Sequence, residues 1–353
     1  MPTAPRAVTP RDSSPLLRRT AAIGEILLVT ASFNGIAALL LRRLLTPAEA
    51  ALAEDYALPD LLPGAAVTAV RLVVRFGIAI AIGFALLWWR RRRRPADVGV
   101  TRSGRSWGAL AMTGVVVWAV GTIPFDLLYI VNGLHPFGQG FPLLNDPGPL
   151  LGRFDFWIAW LAGAVVLPPL LEETFFRGYA RGRLEEAYGG MGAVVVSSLL
   201  FMLAHGHFYS TDPVKALTLV ANLFAVACWA YAALRTGSIV PGIVAHALGN
   251  MPWPRTVPFL GALVLIQLVI IAASREAVRD YVVAAARDWQ RSDRPATRFG
   301  ALLSVACLVP LMTMAAAGMR RPLVITAVAW LLVFTAAWGL DTVRERFSAR
   351  SPG

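Results

Sequence analysis

The stretch Leu170-Leu171-Glu172-Glu173-Thr174-Phe175-Phe176-Arg177 closes an apolar run that begins near Trp157. Ionisable groups are expensive at membrane depth, and those found there usually serve a function. A helix turns about 100° per residue, so adjacent side chains point to different faces. Glu173 and Arg177 are four residues apart and share a face, which suits an ion pair. Glu172 is left on another face, where it can act as a general base inside a membrane.

The rest of the chain supports a membrane setting. Of its 353 residues, 57% are hydrophobic and 15% are charged, with a mean hydropathy of +0.60. A soluble domain carries about a quarter charged residues. Apolar runs of about 20 residues recur and predict an all-α, polytopic transmembrane helical bundle. The net charge of +12 follows membrane topology, so no nucleic-acid partner is implied. Cys228 and Cys307 both fall in apolar runs and read as small buried hydrophobes, not as a disulfide or metal site.

About ten spans are expected, near residues 21–41, 66–89, 108–131, 155–174, 191–208, 216–235, 238–253, 257–274, 300–318 and 322–340. The first eight form a membrane domain over 21–274, with a motif core at 155–253. Residues 1–20 read as a disordered cytoplasmic N-terminus and 275–299 as a charged cytoplasmic connector. Residues 300–340 add two transmembrane helices, followed by a cytoplasmic tail over 341–353. Trp88-Trp89 followed by Arg90 to Arg94 reads as an interfacial anchor at the inner face of the cell membrane. The Arg and Lys asymmetry between alternate loops places both termini in the cytoplasm. Arg71 and Arg75 share a face of the second span and suit a structural or lipid-contacting role, with Glu25 or Asp126 as partners.

Four histidines are present. His135 lies in a Gly- and Pro-rich loop, and His207 faces away from His205. Phe201 and His205, and likewise His246 and Asn250, are spaced i, i+4 on apolar helices. A lone histidine on such a helix is usually a satisfied core residue. Two of them, together with Glu172 from a third segment, indicate an active site. Gly189 stands 17 residues after Glu172 and 16 before His205, so a hairpin there brings the two to one level. Pro168-Pro169, just before the acidic pair, predicts a broken helix beside a wet cavity. Gly178 and Gly182 are spaced as a small-residue contact.

In order, Glu172-Glu173-xxx-Arg177, Phe201-xxx-His205 and His246-xxx-Asn250 resemble the three motifs of the CPBP intramembrane proteases, which include the CAAX prenyl endopeptidases and bacterial bacteriocin-processing and self-immunity proteins. Phe175-Phe176-Arg177-Gly178 and Leu234-Arg235-Thr236-Gly237-Ser238-Ile239-Val240-Pro241 are also similar to that family. The resemblance implies an intramembrane endopeptidase acting on a membrane-associated protein or peptide. It gives Glu172 and His205 the activation of water, and His246 and Asn250 the stabilisation of the oxyanion, with Glu173, Arg177 and Phe201 in support.

No cofactor is expected. A zinc-dependent version is the alternative, because Glu172, His205 and His246 can supply three ligands and leave a position for water. That version lacks a separate base, since Glu173 is tied to Arg177. Two further readings are a non-catalytic immunity or partner protein of the same fold and a transporter using intramembrane charges.

Overall fold

The computed structural model describes residues 15–46, 61–91, 93–100, 104–132, 151–205, 213–254 and 256–348. His135 and His207 lie outside them. All regular structure in the described residues is helical. Three long helices come first: α1 (Pro15–Leu44), α2 (Leu61–Arg91) and α3 (Trp107–Asn132). A broken segment follows, consisting of α4 (Phe154–Trp160), a π-helical turn (Leu161–Val166), α5 (Leu167–Glu173), a second π-helical turn (Thr174–Ala180) and α6 (Arg181–Ala204). The chain then forms α7 (Pro213–Thr236), α8 (Val240–Gly249), α9 (Val257–Ala273), α10 (Arg275–Arg291), α11 (Arg294–Ala316) and α12 (Arg320–Ser348).

Among the described residues, six helices are long and apolar enough to cross a membrane, or seven if the bent pair α9–α10 counts as one span. Ten were expected, and two reasons account for part of the difference. Residues Phe154–Ala204 pass as one 51-residue helix, yet Gly189 breaks it with φ 70° and ψ 175°. Continuous helix would separate Glu172 from His205 by about 50 Å; their side chains lie 3.5 Å apart, so the two arms fold back on each other as the spacing predicted. The other reason is α8, whose ten residues reach only about 15 Å and cannot cross a ~30 Å core.

The ends also depart from expectation. Helix begins at Pro15, so residues 15–20 of the expected N-terminal segment are helical, while 1–14 lie outside the described residues. The expected connector is helical: α10 meets α9 at 81° and has no fully buried residue. Its apolar stripe packs towards α7, where the Tyr281 hydroxyl donates to the Cys228 carbonyl at 2.6 Å and the Tyr231 hydroxyl to Asp288 at 2.8 Å. Both cysteines are free, Cys307 buried and Cys228 half-buried.

The terminal helices are stapled to the centre by Glu25. Its carboxylate accepts from Arg90 at 2.9 Å, Arg183 at 3.1 Å, Trp338 at 3.1 Å and Tyr179 at 3.3 Å. One buried anion thus joins α1, α2, the second π-turn, α6 and α12. Arg90 and Arg183 occupy the role expected of Arg71 or Arg75 at Glu25, while Asp126 accepts from Gln267 at 2.8 Å. Gly178 and Gly182 do mark a close approach. A Cβ on Gly182 would stand 2.4 Å from Val98, and one on Gly178 2.7 Å from Val100. The nearest partner is the 3₁₀ turn Pro95–Val98 and the residues just after it.

Candidate active site

Proline at 168 decides much of the site. It has no N–H, so the Ala164 carbonyl loses its i+4 donor. The preceding turn widens to a π-helix over Leu161–Val166, and the Asn250 side-chain amide donates to that Ala164 carbonyl at 2.9 Å. Trp160 Nε1 donates to the Asn250 backbone carbonyl at 2.8 Å. The end of α8 is thereby pinned across the broken segment, with His246 one turn inside it.

Glu172 and Glu173 then point to different partners, as their adjacency requires. Glu173 is fully buried and pairs with Arg177 at 3.0 Å and with His246 Nδ1 at 3.1 Å. Only a glycine lets α8 pass here, since a Cβ on Gly242 would stand 2.4 Å from Glu173 Oε2. Glu172 faces the two imidazoles: its Oε2 lies 3.5 Å from His205 Nε2 and 4.0 Å from His246 Nε2. That oxygen is buried and has no hydrogen-bond partner among the described residues.

The far nitrogens fix the tautomers. His205 Nδ1 lies 2.7 Å from the Phe201 carbonyl, which can only accept, so Nδ1 carries the hydrogen. His246 Nδ1 faces the Glu173 carboxylate and carries one for the same reason. Both Nε2 atoms therefore turn towards Glu172.

An aromatic stack sets the ring positions. Phe201 stacks on His205 with centroids 4.1 Å apart, and Trp229 stacks on His246 at 5.0 Å. The Arg177 guanidinium sits between them, 4.4 Å from the Phe201 ring centre and 5.9 Å from that of Trp229. A buried cation so placed gains from both ring faces as well as from Glu173.

These groups border a cavity of about 270 Å³ between α3, the broken segment, α7 and α8, which also reaches Asn222, Asn250 and Trp253. The structure brings Glu172, His205, His246 and Asn250 to this one space. Phe201 also lines it, and Glu173 and Arg177 stand behind. Trp229, Trp160 and Gly242 were not singled out from the sequence. Nothing local distinguishes Trp229 from other aromatics in apolar runs, and Gly242 matters only because another helix crosses it. The Ala164 carbonyl was findable, four residues before Pro168. Among the described residues, no group of three or more His, Cys, Asp or Glu side chains is arranged as a metal-holding set.

A carboxylate and two oriented imidazoles share a cavity whose remaining walls are mostly apolar, a setting in which proton transfer and anion stabilisation are both strengthened. No curated protein and no solved structure matches the chain. Residues 154–252 match the family model described as "Type II CAAX prenyl endopeptidase Rce1-like". All three motifs that meet at the cavity fall inside that range, so the segment that builds the site is similar to that family of intramembrane proteases.

Proposed function

We propose that this protein is an intramembrane endopeptidase in which Glu172 activates water against a peptide bond of a membrane-associated protein or peptide. The observation that carries the reading is the Glu172 carboxylate held within 3.5 and 4.0 Å of two imidazole Nε2 atoms at a buried cavity wall. Charge counting supports the roles. Glu172, Glu173 and Arg177 together leave one negative charge in a buried cluster. A further proton on His246 Nε2 makes the cluster neutral and turns that nitrogen into a donor for an oxyanion. The Asn250 amide keeps a second N–H besides the one bound to Ala164.

Glu172 removes a proton from water, with His205 holding the water. The hydroxide adds to the carbonyl carbon, and His246 and Asn250 receive the negative oxygen. Collapse breaks the C–N bond, and Glu172 returns its proton to the leaving nitrogen. We take the reaction as metal-free because, among the described residues, no second carboxylate is left to act as base beside Glu172: Glu173 is committed to Arg177 and His246. A zinc-dependent version would use Glu172, His205 and His246 as ligands. Elemental analysis of purified protein, with cleavage assayed in chelator, separates the two.

We place the Arg-rich end of the bundle on the cytoplasmic face of the cell membrane. Arg19, Arg90, Arg91, Arg93 and Arg183 all pair with acidic groups at that end, and the first turns of α1 and the last turns of α12 lie there too. The test of function compares membrane proteomes of cells carrying the natural protein and Glu172→Ala. New protein termini that disappear with the substitution, while the variant still folds and inserts, support the reading. Termini that persist with Glu172→Ala overturn it and favour a non-catalytic partner role.

A further inference from the structure

The helices α9 and α10 follow the family-matched segment and meet at 81°. No charged residue stands among the 17 of α9, which takes the direction of a membrane span. At 81° to it, α10 lies along the membrane surface. The end of the bundle it crosses is the one that holds Arg235 and the Gly189 turn.

The residues of α10 fall into three stripes at i, i+3 and i, i+4 spacing. Val278, Tyr281, Ala285 and Asp288 are half-buried against the bundle. Arg275, Arg279, Val282, Ala286 and Trp289 form a second, exposed stripe, Val282 by 56% and Trp289 by 38%. Glu276, Asp280, Val283 and Arg287 form a third, also exposed. Every acidic side chain of α10 therefore lies off the second stripe.

Two guanidiniums beside an indole and aliphatic side chains, with no carboxylate among them, match the chemistry of a lipid headgroup boundary. Neither the Arg275 nor the Arg279 guanidinium has an ion pair among the described residues. Four residues apart, they stand side by side and suit a phosphate, while their stems can lie on apolar surface. A soluble acidic partner would match the arginines and not the apolar half of the stripe. A neutral lipid would match the apolar half and not the arginines. An anionic phospholipid matches both, with its phosphate at Arg275 and Arg279 and its acyl chains against Val282 and Trp289.

The first stripe grips the part of α7 that stands behind the site. The Tyr281 hydroxyl donates to the Cys228 carbonyl, and its ring meets Tyr231 edge-on with centroids 4.8 Å apart. Asp288 accepts from Tyr231 and lies 3.8 Å from Arg235. Trp229, whose ring stacks on His246, lies between the Cys228 and Tyr231 anchors.

We propose that α10 is a binding surface for anionic phospholipid and that lipid bound there steadies the site. Phosphates at Arg275 and Arg279 hold α10 on the leaflet, and Tyr281 and Asp288 carry that hold to the turn of α7 that bears Trp229. The lipid surface stands on the geometry of α10; its effect on turnover rests on the endopeptidase reading.

The test uses the full-length protein in phosphatidylcholine nanodiscs doped with phosphatidylglycerol or phosphatidylcholine whose acyl chains are brominated and quench nearby tryptophan fluorescence. The part of the quenching that Trp289→Phe abolishes reports on the second stripe. Brominated phosphatidylglycerol is expected to reach half of that quenching at a mole fraction at least about tenfold below that of brominated phosphatidylcholine, since each arginine near an anionic surface is worth about fivefold. Arg275→Gln combined with Arg279→Gln should bring the two lipids to equal mole fractions, whereas lysine at both positions should keep most of the preference. Arg287→Gln, on the third stripe, should change it little. With delipidated membrane proteins of Glu172→Ala cells as substrate, Glu172-dependent termini should form severalfold faster in phosphatidylglycerol-doped discs. Tyr281→Phe should remove that difference and leave the Trp289 quenching in place.

Equal quenching by the two lipids, the absence of a Trp289 component, or a preference that survives the double glutamine substitution overturns the lipid surface. A preference with no effect of lipid on Glu172-dependent cleavage overturns the coupling to Trp229. If the preference is present and no cleavage depends on Glu172, the endopeptidase reading fails and the lipid surface stands.

Discussion

Gly242→Ala tests the arrangement behind the cavity with a single methyl group. The added Cβ would lie 2.4 Å from Glu173 Oε2 and 3.2 Å from its carboxyl carbon. Ordinary contact begins near 3.4 Å, so the carboxylate or the helix must shift by about 1 Å. Glu173 cannot move freely, because Oε1 is held by Arg177 at 3.0 Å and by His246 at 3.1 Å. A shift of about 1 Å lengthens the His246 contact beyond hydrogen-bond range. Two consequences follow. Overpacking of this kind costs about 1–3 kcal/mol of stability. Loss of imidazole orientation should lower turnover on the order of 10- to 100-fold, as expected for a 1 Å misplacement of a catalytic group. Thermal unfolding in detergent reads the first, and the rate at which Glu172-dependent termini form reads the second. A Gly242→Ala protein with unchanged melting temperature and unchanged cleavage rate would refute the account of Glu173 as the group that orients His246.

Glu25→Gln should destabilise the fold by about 3–5 kcal/mol, because it leaves Arg90 and Arg183 without their shared buried anion; denaturation of the purified protein measures this, and a change below about 1 kcal/mol contradicts the staple. Trp229→Ala should reduce cleavage more than it reduces stability, and Trp229→Phe should restore much of the rate, since what His246 needs is a flat ring 5.0 Å away. Gly189→Ala places a side chain at φ 70°, ψ 175° and should cost about 1–3 kcal/mol without changing the chemistry, visible as a fall in melting temperature at constant turnover.

The sequence by itself determined the parts of this protein that depend on neighbours along the chain. Hydropathy specified an all-α membrane bundle, because buried backbone in lipid has few other solutions. The i, i+4 spacing specified the Glu173–Arg177 pair and the Phe201–His205 stack, both present as read. The helical rise and a glycine specified the return at Gly189 that puts Glu172 beside His205.

Tertiary structure decided what involves groups far apart in sequence. Hydropathy counted ten segments but could not see that α8 is too short to span or that α10 turns across the bundle end, since local polarity does not encode direction. It allowed Glu25 to pair with Arg71 or Arg75, whereas packing gave it to Arg90 and Arg183. The Gly242 approach, the Trp229 stack and the freed Ala164 carbonyl taken up by Asn250 all arise where one helix crosses another. Such contacts are set by which faces of distant helices meet, and periodicity within a single helix carries no information about its partner.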